Sequence, residues 1–157
     1  ANQGSRGNHT QGSALPGITK PAGAPRVRFG TLSPGEGRKN AMVTGGGPAG
    51  MKAEAIAAQR GHQTTLFEAE RRLGGQALLA QMLPGRAEFG GLITNLQREL
   101  ELSKVQVHKG ARVDRAMVMS HAPDLVIIAT GAKPYRPEFP QEGPLQIVDG
   151  WQVLQGR

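Results

Sequence analysis

Cysteine is absent from this 157-residue sequence. No disulfide, thiolate nucleophile or iron–sulfur ligation can therefore come from the chain. Aromatic residues are scarce, with one Trp, one Tyr and four Phe, too few to build a platform on which successive nucleic-acid bases stack. No apolar run approaches the roughly 20 residues needed to cross a bilayer as a helix. No segment has the basic, apolar and small-residue order of a secretory signal. A cytoplasmic setting is the expectation. His9 has no second His and no Cys at ligand spacing, so no metal site is expected.

Glycine and proline are abundant, at 23 and 11 residues, which points to a share of irregular structure. Residues 1–40 concentrate them together with Ser and Thr and show no sustained apolar period, the composition of an extended leader or connector. The charge is concentrated there too. Arg6, Lys20, Arg26, Arg28, Arg38 and Lys39 stand against the single acid Glu36, leaving +5 of the formal +7 in the first 40 residues and +2 for the rest. A basic arm of this kind can dock on an acidic partner or on RNA. With Phe29 as its one aromatic, the solvated leader is the simpler reading, and nucleic acid is not expected as a partner.

From Ala41 to Glu68 the pattern changes. A short apolar run, Ala41-Met42-Val43-Thr44, leads into Gly45-Gly46-Gly47-Pro48-Ala49-Gly50. An alanine-rich helical segment to Arg60, a Gly61 stop and the strand-like Gln63-Thr64-Thr65-Leu66-Phe67-Glu68 follow. Strand, glycine turn, helix, strand and terminal acid make the sequence form of a dinucleotide-binding βαβ unit. Gly45 is suited to the sharp turn, Gly47 leaves room for a pyrophosphate, and Gly50 lets helix and strand approach. Pro48 suits the first helical turn, whose N–H groups have no helical partner, and the amides near Gly47 to Ala49 face a ligand's phosphates at the positive end of the helix dipole. Glu68, about 20 residues on, is placed to accept hydrogen bonds from ribose hydroxyls, which disfavours a 2′-phosphate. Glu54 strains the pattern, because a small residue usually faces the sheet at that position. A helix rotated to turn Ala53 and Ala57 inward would relieve the strain; otherwise binding is weakened.

Downstream, Arg71-Arg72-Leu73-Gly74-Gly75-Gln76 offers two adjacent glycines for close passage of a flat ligand and two arginines for its phosphates or adenine end. Phe89, Leu92, Ile93, Leu96, Leu100 and Leu102 recur at helical spacing and predict a core-packing crossover helix. Val105 to His108 alternates as a short strand, and Val113 to Met119 reads as a strand or turn at the edge. Asp124-Leu125-Val126-Ile127-Ile128-Ala129-Thr130-Gly131 has the continuous β-branched run of a buried parallel strand ending in small residues at its carboxyl edge. Lys133 to Pro144 is a proline-punctuated loop, Gln146-Ile147-Val148 a candidate last strand, and Asp149 a candidate cap for a closing helical turn.

Taken together, Gly45-Gly46-Gly47-Pro48-Ala49-Gly50, Arg60-Gly61-His62, Leu73-Gly74-Gly75-Gln76 and Ala129-Thr130-Gly131-Ala132-Lys133-Pro134 resemble the FAD/NAD(P)-binding domain of the NADH:flavin oxidoreductase family. This is the domain that follows the Old Yellow Enzyme-like barrel in enzymes of the 2,4-dienoyl-CoA reductase and trimethylamine dehydrogenase type. The resemblance spans about Lys39 to Gly156. It implies a site for FAD, or for ADP in its place, with Gly45, Gly47, Pro48, Ala49 and Gly50 at the pyrophosphate, Glu68 at the ribose, Gly75 and Gln76 beside the cofactor, and Thr130 and Gly131 at the second edge. It also implies a barrel and an NAD(P) domain as partners, so that the NAD(P)H site and the iron–sulfur ligands fall outside this chain. Ala1-Asn2-Gln3-Gly4-Ser5 is similar to the family's Cys-Asn-Gln-x-Cys segment, with alanine and serine at the two cysteine positions. Lys52 and Glu54 depart from the acidic and small residues usual in the fingerprint helix.

The expected architecture is an α/β, Rossmann-like parallel sheet with flanking helices over residues 41–157, preceded by the basic leader of residues 1–40. The expected function is the adenine-nucleotide portion of a flavin- and NAD(P)H-dependent oxidoreductase. The alternative is a non-catalytic ADP-binding interaction module whose leader docks on an acidic partner. No residue stands out as a general acid, base or nucleophile.

Overall fold

Val43 and Leu66 are both fully buried and pair side by side at the centre of a parallel sheet. They are the pivot of a computed structural model that describes residues 37–156 except 139, 141, 142 and 145. The leader, with His9 and the Ala1 to Ser5 segment, lies outside the described residues. Four strands, β1 (Asn40–Thr44), β2 (Gln63–Glu68), β3 (Gln106–Lys109) and β4 (Leu125–Ile128), stand in the order β3-β2-β1-β4. Every pair is parallel. Together with its flanking helices this is the α/β, Rossmann-like arrangement.

The long helices are α1 (Pro48–Gln59) and α3 (Glu88–Leu102), with α2 (Ala77–Ala80), α4 (Arg115–His121) and α5 (Gly150–Leu154) shorter. Alternation along each strand sends Val43, Leu66, Val107 and Ile127 to one face. There they join Met51 and Ala55 of α1 and Ile93, Leu96 and Leu100 of α3 in one core. On the opposite face Phe67 stacks on His108 at 5.0 Å and meets His121 of α4 edge-on at 5.3 Å. α1 ends as its sequence implies, with Gly61 at φ +89° and its amide on the Ala58 carbonyl at 2.9 Å. Among the described residues no helix is long and apolar enough to cross a membrane.

Four expectations need correction. Residues Val113 to Met119 are not an edge strand: Asp114 accepts a hydrogen bond from the Met117 amide at 2.8 Å and caps α4. A capping carboxylate satisfies an orphan N–H of the first turn, which outweighs the β-like look of Val113 and Val118. Strand β4 is less enclosed than its apolar run suggests, with Leu125 48% and Ile128 77% exposed, because it is the outer strand of the described sheet. Gln146 to Val148 form no strand. Helix α1 is not rotated to spare Glu54, which is fully buried.

The closing turn does form as expected. Asp149 accepts from the Gln152 amide at 2.9 Å, and the Gln152 side chain accepts from the Asp149 amide at 2.9 Å. This reciprocal pair closes a capping box. The Gln152 amide and the Arg136 guanidinium hold the Asp149 carboxyl below the usual carboxylate range. A depressed carboxylate pKa gives a contribution present above the unfolded value and lost as pH falls through the folded one. Acidification, or Asp149→Ala at neutral pH, is accordingly expected to loosen α5, read as faster amide exchange at Gln152 and Val153 with the sheet amides unchanged.

Candidate functional site

The glycine turn is held by hydrogen bonds from the neighbouring strand. Gly45, at φ +109°, donates its amide to the Phe67 carbonyl at 2.8 Å, and Gly46 donates to the Glu68 carboxylate. The second Glu68 oxygen accepts from the Glu70 amide at 2.8 Å. Glu68 is thus tied to the glycine turn, and it is 9% exposed. Two accepted bonds leave lone pairs on a carboxylate for further donors. The close packing requires glycine: a Cβ on Gly45 would lie 2.3 Å from the Ala129 carbonyl oxygen, and one on Gly50 1.8 Å from that of Gly45.

Gly47 differs from both. It is the N-cap of α1 with φ −74° and ψ 178°, carries no side-chain cap, and precedes Pro48 at the start of the helix. A Cβ there would meet nothing within 4 Å. The N–H groups of the first helical turn, which have no side-chain cap here, stand at the positive end of the helix dipole, where negative charge is favoured. Pro48 and Ala49 belong to the same turn, half-buried and exposed respectively.

Two loops complete this edge of the sheet. After β2, Gly74 donates its amide to the Gly46 carbonyl at 2.8 Å, and a Cβ on Gly75 would come 3.1 Å from the Gly47 Cα. Gln76 reaches across to the loop after β4, its amide nitrogen donating to the Ala132 carbonyl at 2.8 Å. Gly131, at φ +75°, lies against the same Gln76 nitrogen, and Thr130 is exposed beside it. The structure therefore brings Gly45, Gly47, Gly50, Gly75, Gln76, Thr130 and Gly131 to the carboxyl ends of β1, β2 and β4. Strand order reverses between β1 and β4, and such a switch point is where open α/β sheets bind ligands.

Arg71 and Arg72 line a hollow of about 290 Å³ with Leu73, Thr94, Gln97 and Lys109, and Leu73 packs against Gly46. That the Ala132 carbonyl anchors Gln76 was not foreseen; its one signal was the small residue at position 132, which leaves the backbone accessible. Among the described residues no cluster of three or more His, Asp or Glu is arranged to hold a metal ion.

Residues 39–153 match the model of the family described as pyridine nucleotide-disulphide oxidoreductase. An N,N-dimethylglycine/sarcosine dehydrogenase of Chromohalobacter salexigens is 38% identical over 132 residues, 80% of this chain and 19% of that protein. An NADH oxidase of Thermoanaerobacter brockii is 38% identical over 122 residues, 76% of this chain and 19% of its own length. The structure of a 2-naphthoyl-CoA reductase superposes with a TM-score of 0.75 at 26% identity, over 80% of this chain and 19% of that one. The chain spans about a fifth of the length of these relatives. By its matched residues and its fold, the chain belongs to the pyridine nucleotide-disulphide oxidoreductase family.

Proposed function

We propose that residues 41–157 supply the adenine-nucleotide end of an FAD site in a flavin- and NAD(P)H-dependent oxidoreductase, with residues 1–40 as the connector. The observation that carries this reading is the uncapped N-terminus of α1 at Gly47, where a Cβ would meet nothing. Helical N–H groups without a side-chain cap suit a pyrophosphate. In this reading Gly45, Gly47, Pro48, Ala49 and Gly50 hold the pyrophosphate, Glu68 the ribose, Gly75 and Gln76 the flank, and Thr130 and Gly131 the far edge. Bound FAD would supply the hydride and electron transfer. The chain's own residues bind and orient: the amides of the α1 first turn attract the diphosphate, and Glu68 accepts from ribose hydroxyls while fixing the Gly46 amide. The Gln76 to Ala132 bond keeps the two flanking loops at a constant spacing. Relatives some five times longer support barrel and NAD(P) domains as partners of this one.

Gly47→Val is the decisive substitution. Its backbone angles are open to any residue and its Cβ direction is empty, so the fold should persist with an unchanged thermal transition. Affinity for FAD or ADP should fall at least about 100-fold, the scale of lost charge-assisted contacts to a phosphate. Fluorescence and calorimetric titration of both nucleotides checks this. Unchanged affinity in a folded variant would remove the proposal, and wild-type protein that binds ADP but not FAD would replace it with the ADP module.

A further inference from the structure

Glu54 lies one helical turn beyond Gly50 on the buried stripe of α1, with no exposed surface. Alternation along β2 puts Thr64 on the same sheet face as the core residue Leu66. Thr64 pairs in register with Ala41 of β1. Both Glu54 carboxyl oxygens and the Thr64 hydroxyl are buried without a hydrogen-bond partner.

Charged groups on the surrounding elements do not compensate. On α1 itself, Lys52 points outward to Glu99 of α3 at 2.7 Å. Elsewhere on α3, Arg98 pairs with Glu101 at 2.8 Å and Glu88 stands near Arg86 at 3.8 Å. Strand β1 carries no charge. Glu68 of β2 is taken up by the Gly46 and Glu70 amides, and Asp124, just before β4, accepts from the Asn40 amide at 2.7 Å. Among the described residues no basic nitrogen comes within 4.0 Å of Glu54. An isolated buried carboxylate is far costlier than a neutral carboxyl, which can donate to a hydroxyl.

We propose that Glu54 is held as a neutral acid against Thr64 in the seated form of α1, and that its ionisation loosens α1 from the sheet and weakens nucleotide binding at the glycine turn. The link to binding rests on the function proposed above. It runs through Gly50, which is packed against the Gly45 carbonyl so tightly that a Cβ would lie 1.8 Å away; a helix that lifts at Glu54 cannot keep that contact. Burial pushes the Glu54 pKa from 4.5 up to about 7, the nearby Thr64 hydroxyl, although outside hydrogen-bond geometry, acting in the opposite direction. The folded state thus binds more protons than the unfolded one between those values, and stability falls as pH rises through that window and levels off above it.

The test compares the 157-residue chain with Glu54→Gln and Glu54→Ala, the second in case the amide packs poorly, using thermal unfolding and ADP titration at about pH 5 and about pH 9. The wild-type transition should drop by roughly 5 °C more than that of either variant between the two conditions. Its ADP affinity should fall roughly tenfold while the variants' affinities hold. Identical pH profiles for wild type and variants would overturn the inference, and a stability difference with unchanged ADP affinity would overturn the link to the glycine turn. ADP failing to bind wild type at either pH would overturn the proposed function and its link, while the stability comparison would still decide whether Glu54 carries the proton.

Discussion

Gly50→Ala is expected to cost more than about 4 kcal/mol, the range reached only by substitutions that force packed elements apart. Gly50 is helical, so alanine should favour α1 by about 1 kcal/mol on propensity alone. The added Cβ would fall 1.8 Å from the Gly45 oxygen and 3.0 Å from its carbonyl carbon, and both are backbone atoms that cannot rotate aside. The steric term exceeds the propensity term several-fold, and α1 must lift from the turn. Gly91 of α3 is the matched control. Its Cβ would meet nothing within 4 Å, so Gly91→Ala should raise stability by up to about 1 kcal/mol. Urea unfolding of the two variants should move in opposite directions; a Gly50→Ala chain as stable as wild type would mean that α1 does not seat on Gly45.

The contrast shows which features were legible in the sequence. The β1 to β2 unit was, because each part of it is encoded locally: glycines at fixed spacing, proline at the first helical turn, Gly61 at the stop, an acid closing the strand. The period of Phe89 to Leu102 likewise gave α3. Helix α4 was not legible, since its seven residues bury no side chain and so show no apolar stripe; its signal was the Asp114 cap. The burial of Glu54 depends on how α1 seats on the sheet, a tertiary arrangement that the sequence of α1 alone does not encode. The approach of Gly75 to Gly47 and the Gln76 to Ala132 bond join loops far apart in the chain, so the sequence named these residues without showing how they meet.

Leu66→Ala carries the second large effect. Leu66 is fully buried among Val43, Met51, Ala55, Ile93, Leu96 and Leu100, where strand and helices leave little scope for collapse around a void. Lost burial plus the residual cavity should cost about 2–5 kcal/mol. Ile128→Ala removes a similar side chain from β4, but one that is 77% exposed, and should stay within about 0.5 kcal/mol of wild type. Denaturant midpoints at constant slope measure both. The damage should also reach the glycine turn, because the next residue, Phe67, accepts the Gly45 amide at 2.8 Å and a strand settling into the void pulls that carbonyl with it. Leu66→Ala should therefore speed amide exchange at Gly45 even well below its unfolding temperature, whereas Gly47→Val should leave that amide protected. In the proposed site, core packing and ligand space would be set by different residues, and equal Gly45 protection in the two variants would show that the turn is held independently of the core beneath it.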